Sequence, residues 1–253
     1  MTAVVMVHGA FCGGWAFENF RKPFEAAGFD VIAPDLRGHG EGDPSSAVVG
    51  VSMTDYAADI AGLCASLPEP PVLLGHSMGG LVAQLAARKA KIRALVLLAP
   101  SPPWGVAGSS LEEAATAFGV SMLGAFSSGA LQPDKSLMRT YSLDRMPKAE
   151  QDAAVARLRP ESAMAVRETL NWWLDPFMTT SVGPGAIATP SLVISGQGDV
   201  VHSSNTAKAT AERIGAELKV MPGMSHWLLG EPGWDQVAEL ALRWLQETVS
   251  VAA

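Results

Sequence analysis

The chain has 253 residues, 48% hydrophobic and 17% charged, and its 18 basic against 25 acidic side chains leave a net charge of −7. That length suits one domain, or one domain carrying an insertion, and is ample for a continuous core. The composition excludes a disordered chain, the acidic balance argues against nucleic acid and membrane as partners, and no apolar run approaches the roughly 20 residues that span a bilayer.

Ala3–Val7 reads as a core strand with no basic stretch before it, so no secretory leader is expected. Further short apolar runs follow at residues 30–33, 72–74, Ala94–Leu98, 192–194 and 218–221. None alternates strictly with polar residues, the pattern of strands buried on both faces. Helical spacings lie between them. Trp15, Phe20 and Phe24 form one set, and Tyr56, Ile60, Leu63 and Leu67 form another behind a Ser52–Asp55 capping box. Leu81, Val82 and Leu85 follow the third strand, and Trp234, Val237, Ala241, Trp244 and Leu245 form the last helix. Strand–helix alternation predicts an α/β fold: a doubly wound, mostly parallel sheet of about six strands.

The rhythm breaks after residue 100. The sequence predicts helices over 109–126 (capping box Ser109–Glu112; Leu111, Ala115, Phe118 and Met122 on one face), 148–158 and 161–174, with no strand. The expected organisation is a core of residues 1–100 and 188–253 with a helical lid over 101–187. Glu161 and Arg167 read as cap and surface charge, and Cys12 and Cys64 as small core residues with no CxxC spacing. Two distant cysteines point to a reducing, cytoplasmic setting. The five histidines show no metal-ligand spacing, so no metal site is expected.

The sharpest motif is Gly75-His76-Ser77-Met78-Gly79, between a predicted strand and a predicted helix. G-x-S-x-G in that context is a nucleophile elbow. The turn thrusts the serine Oγ outward, the flanking glycines admit close backbone, and the Met78 N–H at the helix start can bind an oxyanion. A serine needs a base, and the order expected of this elbow is Ser, acid, His. Of the two downstream histidines, His226 follows the final strand and is the expected base, whereas His202 reads as solvated or lining the site. Asp199 follows the strand at 192–194 and is the expected acid. The second oxyanion donor should lie in the loop after the first strand, at the Ala10 N–H, with Phe11 as the alternative. His8 reads as an organiser of that loop. Candidate pocket residues are Phe11, His76, Trp104, Trp172, Trp173 and Trp227, with Phe177, Met122, Met138 and Met164 as further lid candidates. Trp172 and Trp173 would diverge by about 100° on a helix, so one of them is expected at the pocket.

His8-Gly9, Asp35-Leu36-Arg37-Gly38-His39-Gly40, the elbow, Gly196-Gln197-Gly198-Asp199 and Gly223-Met224-Ser225-His226 together resemble an α/β-hydrolase. The loop from His8 to Trp15 is similar to that of the methylesterase, hydroxynitrile lyase and bacterial carboxylesterase branch. The resemblance covers roughly residues 3–100 and 188–248. It implies a cofactor-free serine esterase under a helical lid. Lyases of that branch carry a lysine beside the catalytic histidine and a threonine in the oxyanion loop; here Trp227 and Ala10 stand there. The expected function is hydrolysis of a carboxylic ester, thioester or lactone of an apolar small molecule through an acyl-enzyme on Ser77. Acyl transfer through the same intermediate, or a ligand receptor on a hydrolase scaffold, are the alternatives. Nothing in the pattern specifies an oligomeric state.

Overall fold

The structure is a computed structural model, and it describes residues 1–115 and 129–249. Strands β1 (Ala3–Val7), β2 (Asp30–Ile32), β3 (Val72–His76), β4 (Ala94–Leu98), β7 (Ser191–Gly196) and β8 (Glu217–Met221) form one sheet in the order β2-β1-β3-β4-β7-β8. Every neighbouring pair is parallel. β3 and β7 outrun the predicted runs by two and three residues because their ends carry Gly, His or Ser rather than apolar side chains; β8 starts one residue earlier, at Glu217, and β2 stops one short, at Ile32.

The unbroken apolar runs are explained by burial on two faces. Val4, Met6, Val72 and Leu74 pack with Phe17, Phe20, Phe24, Trp244 and Leu245 on one side. Val5, Val7, Leu73 and Leu95 pack with Tyr56, Ile60, Leu81 and Leu85 on the other. Helices α1 (Glu18–Ala26) and α7 (Trp234–Thr248) cover the first face; α2 (Met53–Ser66), α3 (Met78–Ala87) and α6 (Ser204–Ile214) cover the second. The Ser52 box forms as expected: its Oγ accepts the Asp55 N–H at 3.1 Å, and Asp55 Oδ2 accepts the Ser52 N–H at 2.9 Å.

The segment between β4 and β7 departs from an all-helical reading. It contains a two-stranded antiparallel pair, β5 (Ala130–Leu131) with β6 (Glu161–Ser162). The pattern over 161–174 resolves into three pieces: β6, helix α5 (Ala163–Leu170) and a 3-10 turn at Trp172–Leu174. Ser162 is the reason helix α5 starts late, because its Oγ caps Ala165 N–H and donates to Val51 O in the core. Helix α4 (Lys148–Ala156) matches its prediction within two residues. Over 109–126 the described part shows the cap on Ser110, whose Oγ accepts the Glu113 N–H at 3.0 Å. Leu111 is exposed, while Phe118 and Met122 lie outside the described residues. Among the described residues no helix is long and apolar enough to cross a membrane.

β1 is followed by β2 on one side and β3 lies on the other, so the chain reverses its direction of travel across the sheet between β1 and β3. Loops leaving the carboxyl ends of two such strands diverge and open a crevice. The loop after β1 and the turn after β3 flank that crevice.

Candidate active site

Ser77 sits between β3 and α3 at φ 53°, ψ −124°. That is a conformation an L-residue adopts at a cost of roughly 1–3 kcal/mol and keeps only when its surroundings enforce it. They do so here through close backbone. A Cβ on Gly79 would collide with the Val7 and His8 carbonyl oxygens, and one on Gly75 with the Gly79 carbonyl. The Ser77 N–H donates to Leu98 O at 3.0 Å, and its carbonyl accepts the Ser101 N–H at 2.9 Å. The strained turn is thus stitched to the end of β4.

The structure brings together the three residues predicted from chain order. His226 Nε2 lies 3.0 Å from Ser77 Oγ, and His226 Nδ1 lies 2.9 Å from Asp199 Oδ2. The other Asp199 oxygen accepts the Val201 and His202 N–H groups at 2.8 and 2.9 Å. Burial works against charge on Asp199, but His226 and these hydrogen bonds outweigh it and hold the carboxyl below its ordinary range. Asp199 therefore stays ionised at neutral pH. An ionised acceptor on Nδ1 leaves Nε2 free to face the serine.

The loop after β1 lies against the elbow so closely that a Cβ on Gly9 would stand 3.0 Å from Ser77 Cβ. His8 organises this loop as expected. Its Nδ1 meets Gly9 O at 2.9 Å and its Nε2 accepts the Leu36 N–H at 2.9 Å. Burial and the neighbouring His39 push its pKa down to about 4, consistent with a neutral ring that donates at one nitrogen and accepts at the other. Of the two candidate oxyanion donors, the Phe11 N–H is turned away to Glu161 Oε2 at 3.3 Å. Ala10 remains as the candidate; it lines the cavity over Ser77 together with Met78, whose N–H as a first-turn group has no intrahelical acceptor.

An apolar cavity opens over Ser77, walled by Phe11, Met138, Tyr141, Val166, Leu170 and Trp227. His76, Ser101 and His202 also line it. His76 is buried; burial first, and then His226, lower its pKa to about 3, and its Nε2 meets His226 O at 3.0 Å. His202 is buried rather than solvated, with Nε2 2.8 Å from Ser101 Oγ. Three pocket expectations need correction. Trp104, Trp172 and Trp173 do not wall this cavity. The 3-10 turn carries Trp172 and Trp173 past the end of α5 to a neighbouring cleft with Pro102 and Glu113. Trp104 stacks edge-on against Trp172 with ring centroids 5.4 Å apart. Phe177 and Met164 are exposed. Met138, a lid candidate, does line the cavity from the insertion; Tyr141, Val166 and Leu170 join it there and carry no sequence signal to single them out.

Sequence reasoning also missed a buried polar cluster. Glu161, read as a cap, is fully buried. Its carboxylate accepts from Tyr56 Oη (2.7 Å) and Ser162 N (2.7 Å) and lies 3.1 Å from His39 Nε2. Burial opposes the charge on both partners, but their mutual attraction and hydrogen bonds prevail, lowering the Glu161 pKa and raising that of His39. Cys12 and Cys64 are buried free thiols. Among the described residues no group of three His, Cys, Asp or Glu is placed to hold a metal ion.

The fold and the elbow define a class. Residues 4–240 match the model of the alpha/beta hydrolase family, and the chain belongs to that family. A pyrethroid hydrolase of Sphingobium wenxiniae is 38% identical over 80 residues, covering 32% of this chain and 28% of that protein. Salicylic acid-binding protein 2 of Nicotiana tabacum is 39% identical over 110 residues, covering 42% of each chain. The chain thus spans less than half the length of these curated relatives. A crystal structure of an Arabidopsis methylesterase superposes with a TM-score of 0.73 at 22% identity, over 100% of both chains.

Proposed function

We propose that this protein is a serine esterase that cleaves a carboxylic ester of an apolar small molecule through an acyl-enzyme on Ser77. The observation that carries the reading is the unbroken chain Ser77 Oγ, His226, Asp199, with links of 3.0 and 2.9 Å. The curated relatives named as a pyrethroid hydrolase and methylesterases support the reaction class. Ser77 Oγ attacks the ester carbonyl carbon while His226 Nε2 takes its proton. The carbonyl oxygen becomes an oxyanion held by the Ala10 and Met78 N–H groups. His226 returns the proton to the departing alcohol oxygen as the carbon–oxygen bond breaks, leaving Ser77 acylated. Water, activated by the same imidazole, then releases the acid. The apolar wall of the cavity favours a substrate that is largely hydrocarbon on at least one side of the ester. Residues 101–187 serve as the lid over the core of 1–100 and 188–253, since Met138, Val166 and Leu170 come from that segment.

A panel of p-nitrophenyl esters of increasing acyl length, assayed with the wild type and Ser77→Ala, tests this. The wild type should prefer apolar acyl chains, and the variant should lose on the order of a millionfold in kcat. Undiminished activity in Ser77→Ala overturns the reading.

A further inference from the structure

Two polar contacts tie the insertion to the oxyanion loop, and both converge on one residue. Phe11 holds φ 64°, in the left-handed region that a bulky side chain avoids. Its N–H is taken by Glu161 Oε2, and its carbonyl accepts the Arg159 N–H at 2.8 Å. Arg159 and Glu161 both belong to the insertion, and Ser162 beside them is anchored to Val51 O of the core. The Phe11 N–H lies in the same peptide plane as the Ala10 carbonyl. Fixing that plane limits the rotation available to Ala10, whose own N–H is the donor the mechanism requires.

We propose that Glu161 is a positioning residue for the oxyanion hole: its buried carboxylate holds the Ala10–Phe11 peptide in register, so the hole is complete only while the insertion is seated. This rests on the serine-esterase reading. The carboxylate suits the task because everything around it donates. Oε2 faces the Phe11 N–H and His39 Nε2; Oε1 faces Tyr56 Oη and the Ser162 N–H. An amide of the same size must set its NH2 against one of these pairs whichever way it is turned. His39, whose ring nitrogens face the Arg37 carbonyl and Glu161 Oε2 at 3.2 and 3.1 Å, supplies when protonated the countercharge that lets the carboxylate stay buried.

The experiment compares wild type, Glu161→Gln and Glu18→Ala on p-nitrophenyl butyrate, and measures affinity for an aryl trifluoromethyl ketone, which forms an oxyanion on the serine. Glu18 pairs with Arg157 of the insertion at 2.7 Å on the surface and makes no hydrogen bond to Ala10 or Phe11, so it controls for general loosening of the insertion. Glu161→Gln should lose about 10- to 100-fold in kcat, somewhat less than deletion of an oxyanion donor. Its KM should stay within about threefold, and ketone affinity should fall by the same factor as kcat. Glu18→Ala should match the wild type. Should Glu161→Gln not fold, Glu161→Asp, which keeps the charge and shortens the reach, is held to the same criteria. Wild-type kcat and ketone affinity in the Glu161 variant overturn the proposal, as does an equal loss in Glu18→Ala. Failure of the esterase reading is visible separately, as a wild type without Ser77-dependent turnover.

Discussion

Ser77 holds its place at the expense of local backbone strain, and the return on that strain is an Oγ aimed at His226 from a turn that cannot relax. The acid shows how much a single oxygen decides. Asp199 Oδ1 is fixed by two backbone N–H groups, so Oδ2 meets His226 in one orientation. Asp199→Asn keeps the shape but lets the imidazole adopt the other tautomer. By analogy with other triads, kcat should fall about 10⁴-fold with little change in KM. Steady-state kinetics on p-nitrophenyl butyrate checks this; a loss below tenfold would remove Asp199 from the proposed role.

A second residue-scale prediction concerns Glu231. It is buried behind the His226 loop, where Oε1 accepts the Ser225 N–H at 2.8 Å and Oε2 has no hydrogen-bond partner among the described residues. Burial, then Asp144, raise its pKa from 4.5 to about 7. A carboxyl with a raised folded pKa favours the folded state fully below its unfolded pKa, and that contribution is lost as pH rises through the folded one. The wild type should therefore lose stability between about pH 4.5 and pH 7 on this account, and Glu231→Gln should lose less. Thermal melts at about pH 5 and pH 8 measure it; parallel pH profiles for the two proteins contradict the assignment.

Residues whose place is set by chain order and local turn chemistry are legible: Ser77, Asp199 and His226, proposed here as the triad, each follow a strand. Glu161 is not. Its partners His39, Tyr56 and Phe11 lie 122, 105 and 150 positions away in sequence, and no local pattern announces contacts of that range.

Among the elements, the strand–turn–helix of β3 and α3 shows local sequence and tertiary packing in agreement. Gly79 is required by the approach of β1, not by its own φ. A methyl there must displace the Val7 and His8 carbonyls or the helix, which predicts that Gly79→Ala costs about 1–3 kcal/mol of stability and disturbs the oxyanion loop. Denaturant unfolding together with kcat reports both effects; wild-type stability would mean that α3 can shift without penalty. The insertion shows local sequence overridden. Residues 161–174 read as one helix, yet Glu161 and Ser162 pair with Ala130 and Leu131 instead. The gain is a buried carboxylate with four donors and a hydroxyl anchored to the core, which outweighs a few tenths of a kcal/mol of helix propensity. Because the helix is cut there and again at Asn171, the tryptophans expected over Ser77 are carried to the neighbouring cleft.

At the scale of the whole molecule, the alternation of buried strands and amphipathic helices specified the parallel sheet, and the reversal of direction between β1 and β3 fixed where a site could open. The order of strands was not written in any one segment; it follows from right-handed crossovers and from which face each helix buries. The apolar character of the chain divides between the two faces of the sheet and the cavity above Ser77. The central claim, that this cavity surrounds a nucleophilic serine, is tested most directly by titrating the protein with an alkyl fluorophosphonate and following esterase activity alongside intact and peptide mass. The account predicts one adduct per chain, on the peptide bearing Ser77, with activity falling in proportion to labelling. Activity that survives complete labelling, or inactivation by an adduct on another residue, would contradict it.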